Sequence, residues 1–226
     1  MNHYRAALRI MVLLLCLTGL PAIVHADALG KPPPAAAKFV EIRATPQTLE
    51  QLRQGGFVLY LRHGFTDNSK GDRPSGVDLN DCATQRPLSP AGVKVAAQVG
   101  DAIRQAKIPI GEIRVSPLCR VRDTVDQAFP GVPYTVDNNL MYTANFTTAE
   151  KAPIIANTRK LLSAPVAAGT NRLLIAHAPN IMDLIGYFPK EATLVIFHPN
   201  KSQDGFEYIA SIPPGQWADL LQAATK

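Results

Sequence analysis

The chain has 226 residues, of which 46% are hydrophobic and 18% charged, and its formal net charge is +5 at pH 7. This length suits one domain, or one domain with a tail, and the composition is that of a protein with a full apolar core. The charge excess is small and no basic run is present, so the sequence argues against nucleic-acid binding.

The first 26 residues have the pattern of a secretory signal peptide. Arg5 and Arg9 precede an apolar run at 10–20, and "VHA" at 24–26 predicts cleavage after Ala26. An uncleaved anchor is disfavoured because a membrane-spanning helix needs about 20 apolar residues, so we expect no stable membrane insertion after cleavage. Removal of the leader takes away two arginines and no acidic residue, which leaves a net charge of +3. The pattern predicts a periplasmic or secreted protein.

Two cysteines, Cys82 and Cys119, lie beyond the leader. In an oxidising compartment they can form a disulfide, and two separate buried thiols agree equally well with the sequence. Metal binding is not expected, because neither the cysteines nor His63, His177 and His198 have the spacing of metal ligands.

Residues 27–44 include the run "KPPPAAAK" and are predicted to form an extended linker that precedes a domain at 45–226. A short helix is predicted to open the domain. Thr45 suits its N-cap, Pro46 its first turn and Gly55 its C-terminal cap.

Apolar and amphipathic runs then alternate along the domain. We expect strands at 57–64, 111–117, 132–136, 172–180, 192–199 and 205–213. The helical patterns lie at 89–107, 119–129, 147–164, 180–187 and 214–226. This alternation predicts a three-layer α/β/α sandwich with a mostly parallel sheet, and the last two strands are expected to form an antiparallel hairpin at one edge. The long polar segment at 65–88 is typical of a functional loop.

Polar residues end three of these strands, in "LRHG", "VSPLCR" and "IAHAPN". Ligands of open α/β sheets bind outside the carboxyl ends of the strands, so these segments are expected to meet at one rim. Guanidinium groups match phosphate oxygens, and histidine can act as a nucleophile. The pattern therefore predicts a metal-free site for a phosphoryl group, built from Arg62, His63, Ser116, Arg120 and His177.

In their order along the chain, "LRHG", "SPLCRVRDT" and a late strand ending in histidine resemble the histidine phosphatase superfamily, which has the phosphoglycerate mutase-like fold. The resemblance covers roughly residues 56–200. It implies that His63 is the nucleophile and forms a phosphohistidine, that Arg62 and Arg120 bind phosphate, and that His177 contacts the same phosphoryl group. Water then hydrolyses the intermediate, and the resemblance implies no cofactor.

The general acid of the resembling family has no counterpart at its usual places. Ala178 follows His177, where many members of the family have glycine or aspartate, and "DNNLMYTANFT" at 137–147 contains no glutamate. Asp67 is the first candidate acid and Glu150 the second. A weak acid contribution would suit substrates with good leaving groups.

Five residues near these motifs are expected to have lesser roles. Arg86 could reach the phosphate from the long loop, although a surface position is favoured. Arg122 and Asp123 are expected to lie at the surface or to support the site, and Asn180 is expected to cap the helix that follows it. His198 is expected to be structural.

Together, the leader and the resemblance predict an exported, metal-independent phosphomonoesterase (a phosphoric monoester hydrolase) that acts on a small-molecule or envelope phosphomonoester. The loop at 65–88 is expected to cover its pocket. A catalytically silent member that only binds phosphorylated ligands is the alternative, since the acid is missing. A cytoplasmic phosphohistidine-protein phosphatase of the same fold conflicts with the leader.

Overall fold

The computed structural model describes residues 38–73, 76–200 and 205–224. The predicted signal peptide and the greater part of the predicted linker lie outside these ranges. Within them, none of the helices has the length and apolarity needed to cross a membrane.

A mixed sheet of six strands lies at the centre, in the order β3-β2-β4-β1-β5-β6. The strands are β1 (Val58–Arg62), β2 (Ile110–Val115), β3 (Thr135–Val136), β4 (Asn171–Ala176), β5 (Leu194–Pro199) and β6 (Phe206–Ile212). Strands β1, β2, β3 and β4 are parallel to one another, whereas β5 runs antiparallel to both β1 and β6. The predicted parallel sheet with an antiparallel hairpin at one edge is confirmed.

Helices cover both faces of this sheet. They are α1 (Pro46–Gln54), α2 (Pro90–Gln105), α3 (Cys119–Ala128), α4 (Thr148–Ser163), α5 (Ala178–Ile185) and α6 (Trp217–Ala223). The first begins as its sequence predicts: the Thr45 hydroxyl accepts from the backbone N–H of Thr48, and Pro46 occupies the first turn.

Two apolar clusters hold the three layers together. Leu59 and Leu61 of β1 pack with α1, α2, α3 and α6, whereas Val58 and Tyr60 pack with α4 and α5 on the other face. This alternation follows from the two-residue period of a strand and explains why the run is apolar throughout. The first polar residues, Arg62 and His63, lie at the end of β1, beyond the residues that pack in the two clusters.

The chain that precedes α1 lies along β6. The Phe39 ring stacks on that of Tyr187 with centroids 4.4 Å apart, and the N–H of Ala44 donates to the carbonyl of Ser211 at 3.1 Å. The Ser211 N–H donates in turn to the Ile42 carbonyl at 2.8 Å. Residues 38–44, which the sequence analysis places in the linker, therefore pack against the domain. Backbone pairing of this kind leaves no periodic pattern in the sequence.

Two glycines let α2 approach the chain that follows β1. A Cβ on Gly92 would lie 1.8 Å from the carbonyl oxygen of Phe65, and a Cβ on Gly64 would lie 2.7 Å from that of Gly92. The Phe65 carbonyl also accepts the N–H of Ser89 at 2.9 Å. The segment after β1 is thus held by backbone contact with the first turn of a helix.

Replacing Gly92 with alanine should force these two segments apart. We expect Gly92→Ala to lower the free energy of unfolding by about 2 kcal/mol, as overpacking does, in a urea titration. Gly215→Ala is the matched control, because its Cβ would meet no atom within 4 Å. Equal free energies of unfolding for the two variants would contradict the close contact.

Candidate active site

Three neighbouring strands end at one rim of the sheet. In the order β2-β4-β1, their carboxyl ends lead directly into Ser116, His177 and His63. The N–H of His63 donates to the carbonyl of Ala176 at 3.2 Å, and the N–H of Ser116 donates to that of Ile175 at 3.0 Å. These bonds extend the strand pairing by one residue. They bring the His63 and His177 ring centroids to 5.3 Å from each other.

His63 is only 2% exposed, and a backbone carbonyl fixes its tautomer. Its Nδ1 lies 2.9 Å from the carbonyl oxygen of Gly64. Because a carbonyl oxygen can only accept, Nδ1 carries the proton and Nε2 keeps its lone pair. Burial lowers the pKa of His63 well below its ordinary value, and the positive charge of Arg120 adds to this. The imidazole is thus neutral and suited to nucleophilic attack at neutral pH.

His177 is completely buried at the end of β4. Its Nε2 lies 2.8 Å from the Ser116 hydroxyl oxygen, and the Tyr60 hydroxyl donates to its carbonyl at 2.8 Å. Burial lowers its pKa well below the ordinary value, and the neighbouring His63 and the positive charge of Arg120 act in the same direction. Among the described residues, its Nδ1 has no hydrogen-bond partner.

Two arginines predicted from the sequence flank these rings. Arg120, in the first turn of α3, is fully buried and donates through Nη1 to Asp72 at 3.0 Å. Arg62, at the end of β1, donates through Nη1 to the Pro189 carbonyl at 2.8 Å, and its Nη2 lies 3.4 Å from a Glu191 oxygen. In the part of the chain that the structure describes, Nε of Arg62 and both Nε and Nη2 of Arg120 are buried without a partner.

A third arginine, Arg86, belongs to the same group, so the surface position favoured from the sequence is wrong. Its backbone N–H donates to a carboxylate oxygen of Asp72 at 2.8 Å, and its buried Nε has no hydrogen-bond partner within the described ranges. Burial lowers the pKa values of the two histidines and of the other two arginines, and the charge of Arg86 contributes to all four shifts.

Buried polar groups are nearly always hydrogen-bonded, so a cluster of buried donors without partners needs explanation. Here the donors are Arg62 Nε, Arg86 Nε, Arg120 Nε and Nη2, and His177 Nδ1 when it carries the proton. An anion with several oxygens would accept from such a set and would offset the positive charge. The arrangement suits a phosphoryl group.

A disulfide attaches the long loop to the helix that carries Arg120. The sulfur atoms of Cys82 and Cys119 are bonded, and their Cα atoms are 5.7 Å apart. The Cys119 N–H also donates to the side-chain oxygen of Gln85 at 2.8 Å. Arg122 donates to the Leu79 carbonyl at 3.4 Å, which is a supporting contact. The loop thereby brings Asp72 and Arg86 to the start of α3.

A cavity of about 550 Å³ adjoins this cluster of donors, between the long loop and the segment before α4. It is lined by Asp72, Arg73, Gly76, Val77, Leu79, Leu118, Met141, Tyr142, Asn145, Phe146 and Glu150. Asp72, bonded to Arg120, belongs to both the cavity and the arginine group. The cavity is large enough for the remainder of a small phosphomonoester.

The two acids suggested by the sequence are engaged locally. Asp67 is half-buried and accepts from the hydroxyl and the N–H of Ser69, and these bonds lower its pKa. Glu150 accepts from the N–H and the hydroxyl of Thr147 in the capping box of α4, which also lowers its pKa. Within the described residues, no hydrogen bond or ion pair joins either carboxylate to His63. Both are therefore held in the ionised form, which is unsuited to a proton donor.

Sequence reasoning missed three residues of the site. Asp72 accepts from Arg120, and Glu191 accepts from the Thr66 hydroxyl at 2.8 Å and lies 4.0 Å from Nδ1 of His63. Tyr142 packs beside His177. Of these three, only Tyr142 could have been found from the sequence, because it is an aromatic residue in the segment 137–147 where an acid was expected. Neither carboxylate belongs to a periodic pattern or a motif.

Metal coordination has no candidate in this part of the protein. Within the described ranges, histidine, cysteine, aspartate and glutamate side chains form no group of three or more that could hold a metal ion.

Comparison with known proteins confirms the resemblance at the level of the superfamily. Residues 58–151 match the family model described as the histidine phosphatase superfamily (branch 1). No curated protein is a significant match to the chain.

Two solved structures with TM-scores above 0.5 share the fold. The alpha-ribazole phosphatase from Shigella flexneri is 14% identical, with a TM-score of 0.51 over 70% of this chain and 96% of that one. A structure from Escherichia coli K-12 assigned as an alpha-ribazole-5'-P phosphatase is 13% identical, with a TM-score of 0.52 over 70% and 97%. A mycobacterial glucosyl-3-phosphoglycerate phosphatase complexed with VO3 is 18% identical, with a TM-score of 0.49 over 69% and 98%.

The depressed histidine pKa values make stability depend on pH. In the unfolded chain a histidine titrates near its ordinary pKa of about 6.5, so below that pH the unfolded state binds more protons than the folded state. We expect the free energy of unfolding to fall on acidification, by up to about 1.4 kcal/mol per pH unit for each histidine that stays neutral in the fold.

Urea titrations between about pH 7.5 and about pH 5.5 test this dependence. His177→Gln should have a shallower slope than the unmodified protein, whereas His198→Gln, which replaces an exposed histidine, should keep the original slope. Identical slopes for all three proteins would show that His177 is not held neutral.

The disulfide should matter for both stability and anion affinity. It joins residues 37 apart, so the double variant Cys82→Ser, Cys119→Ser should lose about 3 kcal/mol of unfolding free energy. Because the loop carries Asp72 and Arg86, we also expect several-fold weaker inhibition by phosphate or vanadate. Reductant should affect the unmodified protein in the same way and leave the double variant unchanged. Unaltered anion affinity after reduction would contradict the role assigned to the loop.

Proposed function

Starting from the resemblance to the histidine phosphatase superfamily, matched over residues 58–151, we propose that the protein is a metal-independent phosphomonoesterase that acts through a phosphohistidine. One observation carries the proposal. Buried donors without partners, from Arg62, Arg86, Arg120 and His177, surround a neutral histidine whose Nε2 keeps its lone pair.

The chemistry follows from these positions. Nε2 of His63 attacks phosphorus, the bond from phosphorus to the leaving oxygen breaks, and the phosphoryl group is transferred to the ring. The arginines and His177 donate to the phosphoryl oxygens, where they stabilise charge in the transition state without rearrangement of solvent. The Nδ1–H of His63 keeps its hydrogen bond to the Gly64 carbonyl, and this bond orients the ring throughout. Water then attacks phosphorus and releases phosphate and the free histidine.

We further propose that the protein works in the periplasm or outside the cell, on a small-molecule or envelope phosphomonoester. The signal-peptide pattern at 1–26 and the disulfide both favour an oxidising compartment. The cavity beside the phosphoryl site offers room for the alcohol part of such a substrate.

A catalytically silent protein that binds phosphorylated ligands is the second candidate. It is favoured by the two expected acids, Asp67 and Glu150, because their hydrogen bonds hold both in the ionised form. Such a protein would bind phosphate or vanadate with the same donors and would not turn over an ester.

Hydrolysis of p-nitrophenyl phosphate by the unmodified protein and by His63→Ala tests the proposal. We expect turnover without added metal and a loss of at least about a thousandfold in the variant, because the nucleophile is removed. His198→Ala is the control. Rapid quenching with a radiolabelled phosphoryl donor should leave a label on His63 that is stable to alkali and labile to acid.

The alternative outcomes are distinct. Vanadate binding without turnover would favour the silent binder. Full turnover in His63→Ala would eliminate the phosphohistidine route.

A further inference from the structure

The site described above receives a phosphoryl group but still lacks a group that protonates the leaving oxygen. The carboxylates close to it are committed to other partners: Asp72 to Arg120 and to the N–H of Arg86, and Glu191 to Thr66 and Arg62. A donor for the leaving oxygen must border both the phosphoryl site and the adjoining cavity, and it must carry a proton near neutral pH.

Tyr142 meets the requirement of position. Its ring packs edge-on against that of His177 with centroids 5.4 Å apart, and the guanidinium carbon of Arg120 lies 5.4 Å from its ring centroid. The same side chain lines the cavity of about 550 Å³. Tyr142 therefore stands at the boundary where the bond between phosphorus and the leaving oxygen would lie, and it is only half-buried.

Arg120 lies beside the Tyr142 ring, and Arg62 and Arg120 both interact electrostatically with this side chain. Their positive charges are placed to offset negative charge that develops on the phenol oxygen during proton transfer. The titratable groups that face the ring are Arg62, Arg120 and His177, and the cavity adds Asp72, Arg73 and Glu150.

We propose that Tyr142 is the general acid of the phosphoryl transfer. This inference rests on the proposed function and adds to it the proton donor. As Nε2 of His63 forms its bond to phosphorus, the bond to the ester oxygen breaks, and the phenol proton passes to that oxygen to give the neutral alcohol. Tyr142 becomes a phenolate beside Arg120. In the second step it takes a proton from the attacking water, the bond from Nε2 to phosphorus breaks, and the phenol is restored.

A general acid matters most when the leaving group is poor, and this gives a sharp test. We expect Tyr142→Phe to lower kcat/KM for a simple alkyl phosphate by about 100-fold or more, which is the usual contribution of such catalysis. For p-nitrophenyl phosphate, whose phenolate leaves without help, kcat/KM should fall less than about threefold. kcat/KM is the right quantity because it reports the steps up to the first irreversible transfer.

Tyr134→Phe is the matched control. That tyrosine lines a groove formed by β2 and the chain leading into β3, away from the phosphoryl donors, and both substrates should react as with the unmodified protein. Vanadate affinity and the melting temperature of Tyr142→Phe should also stay unchanged if the loss is one of proton transfer alone.

A fluorinated tyrosine at position 142 keeps the shape of the ring and acidifies the phenol, so it tests the proposal even if Tyr142→Phe folds poorly. The alkaline limb of the pH profile for the alkyl phosphate should move to lower pH. An unmoved limb would overturn the proposal.

Equal losses of kcat/KM on the two substrates, or no loss on either, would also overturn it. These results would leave the proposed function intact so long as His63→Ala abolishes hydrolysis of p-nitrophenyl phosphate, so failure of the acid and failure of the nucleophile are separate outcomes.

Discussion

Three guanidinium groups lie beside two imidazoles in the interior of this protein, and most other features of the site follow from that concentration of positive charge. Burial of a charge without a full set of partners costs free energy. Asp72 compensates for part of the charge of Arg120, and Glu191 for part of that of Arg62. The compensation is incomplete, because several donors remain without acceptors. The proposed affinity for an anion would thus come at the expense of the stability of the fold.

The same charges keep His63, the proposed nucleophile, in its neutral form. Because a protonated imidazole would add to the repulsion, His63 and His177 both remain neutral, and the Gly64 carbonyl decides which nitrogen of His63 keeps its lone pair. In the proposed mechanism, anion binding and nucleophilicity therefore have one physical origin. An anion that accepts from the arginines would also reduce the repulsion that helps to lower the imidazole pKa values, so a phosphorylated substrate would change the environment of both rings.

The sequence predicted the parts of the site that belong to strands, because a strand that leaves an apolar layer does so at a visible boundary. Arg62, His63 and His177 stand at such boundaries. Arg86 and Asp72 come from a loop whose path depends on the disulfide and on contacts distant in sequence, so no local pattern reveals them.

Helix starts were predicted where a cap is present, as at Thr45. Asn180 was expected to cap α5, but the strand before it ends earlier, His177 takes the N-cap position, and the Asn180 amide donates to the Met141 carbonyl instead. That bond ties α5 to the segment carrying Tyr142.

The contact between Gly92 and the chain after His63 is made by main-chain atoms alone. A joint of this kind depends on the absence of side chains and not on the identity of its neighbours. Loop residues other than Asp72, Arg86 and the bonded Cys82 can therefore diverge or lengthen while the imidazole stays in place. Such a scaffold lends itself to the grafting of foreign segments between these positions, with new recognition built beside an unaltered cluster of donors.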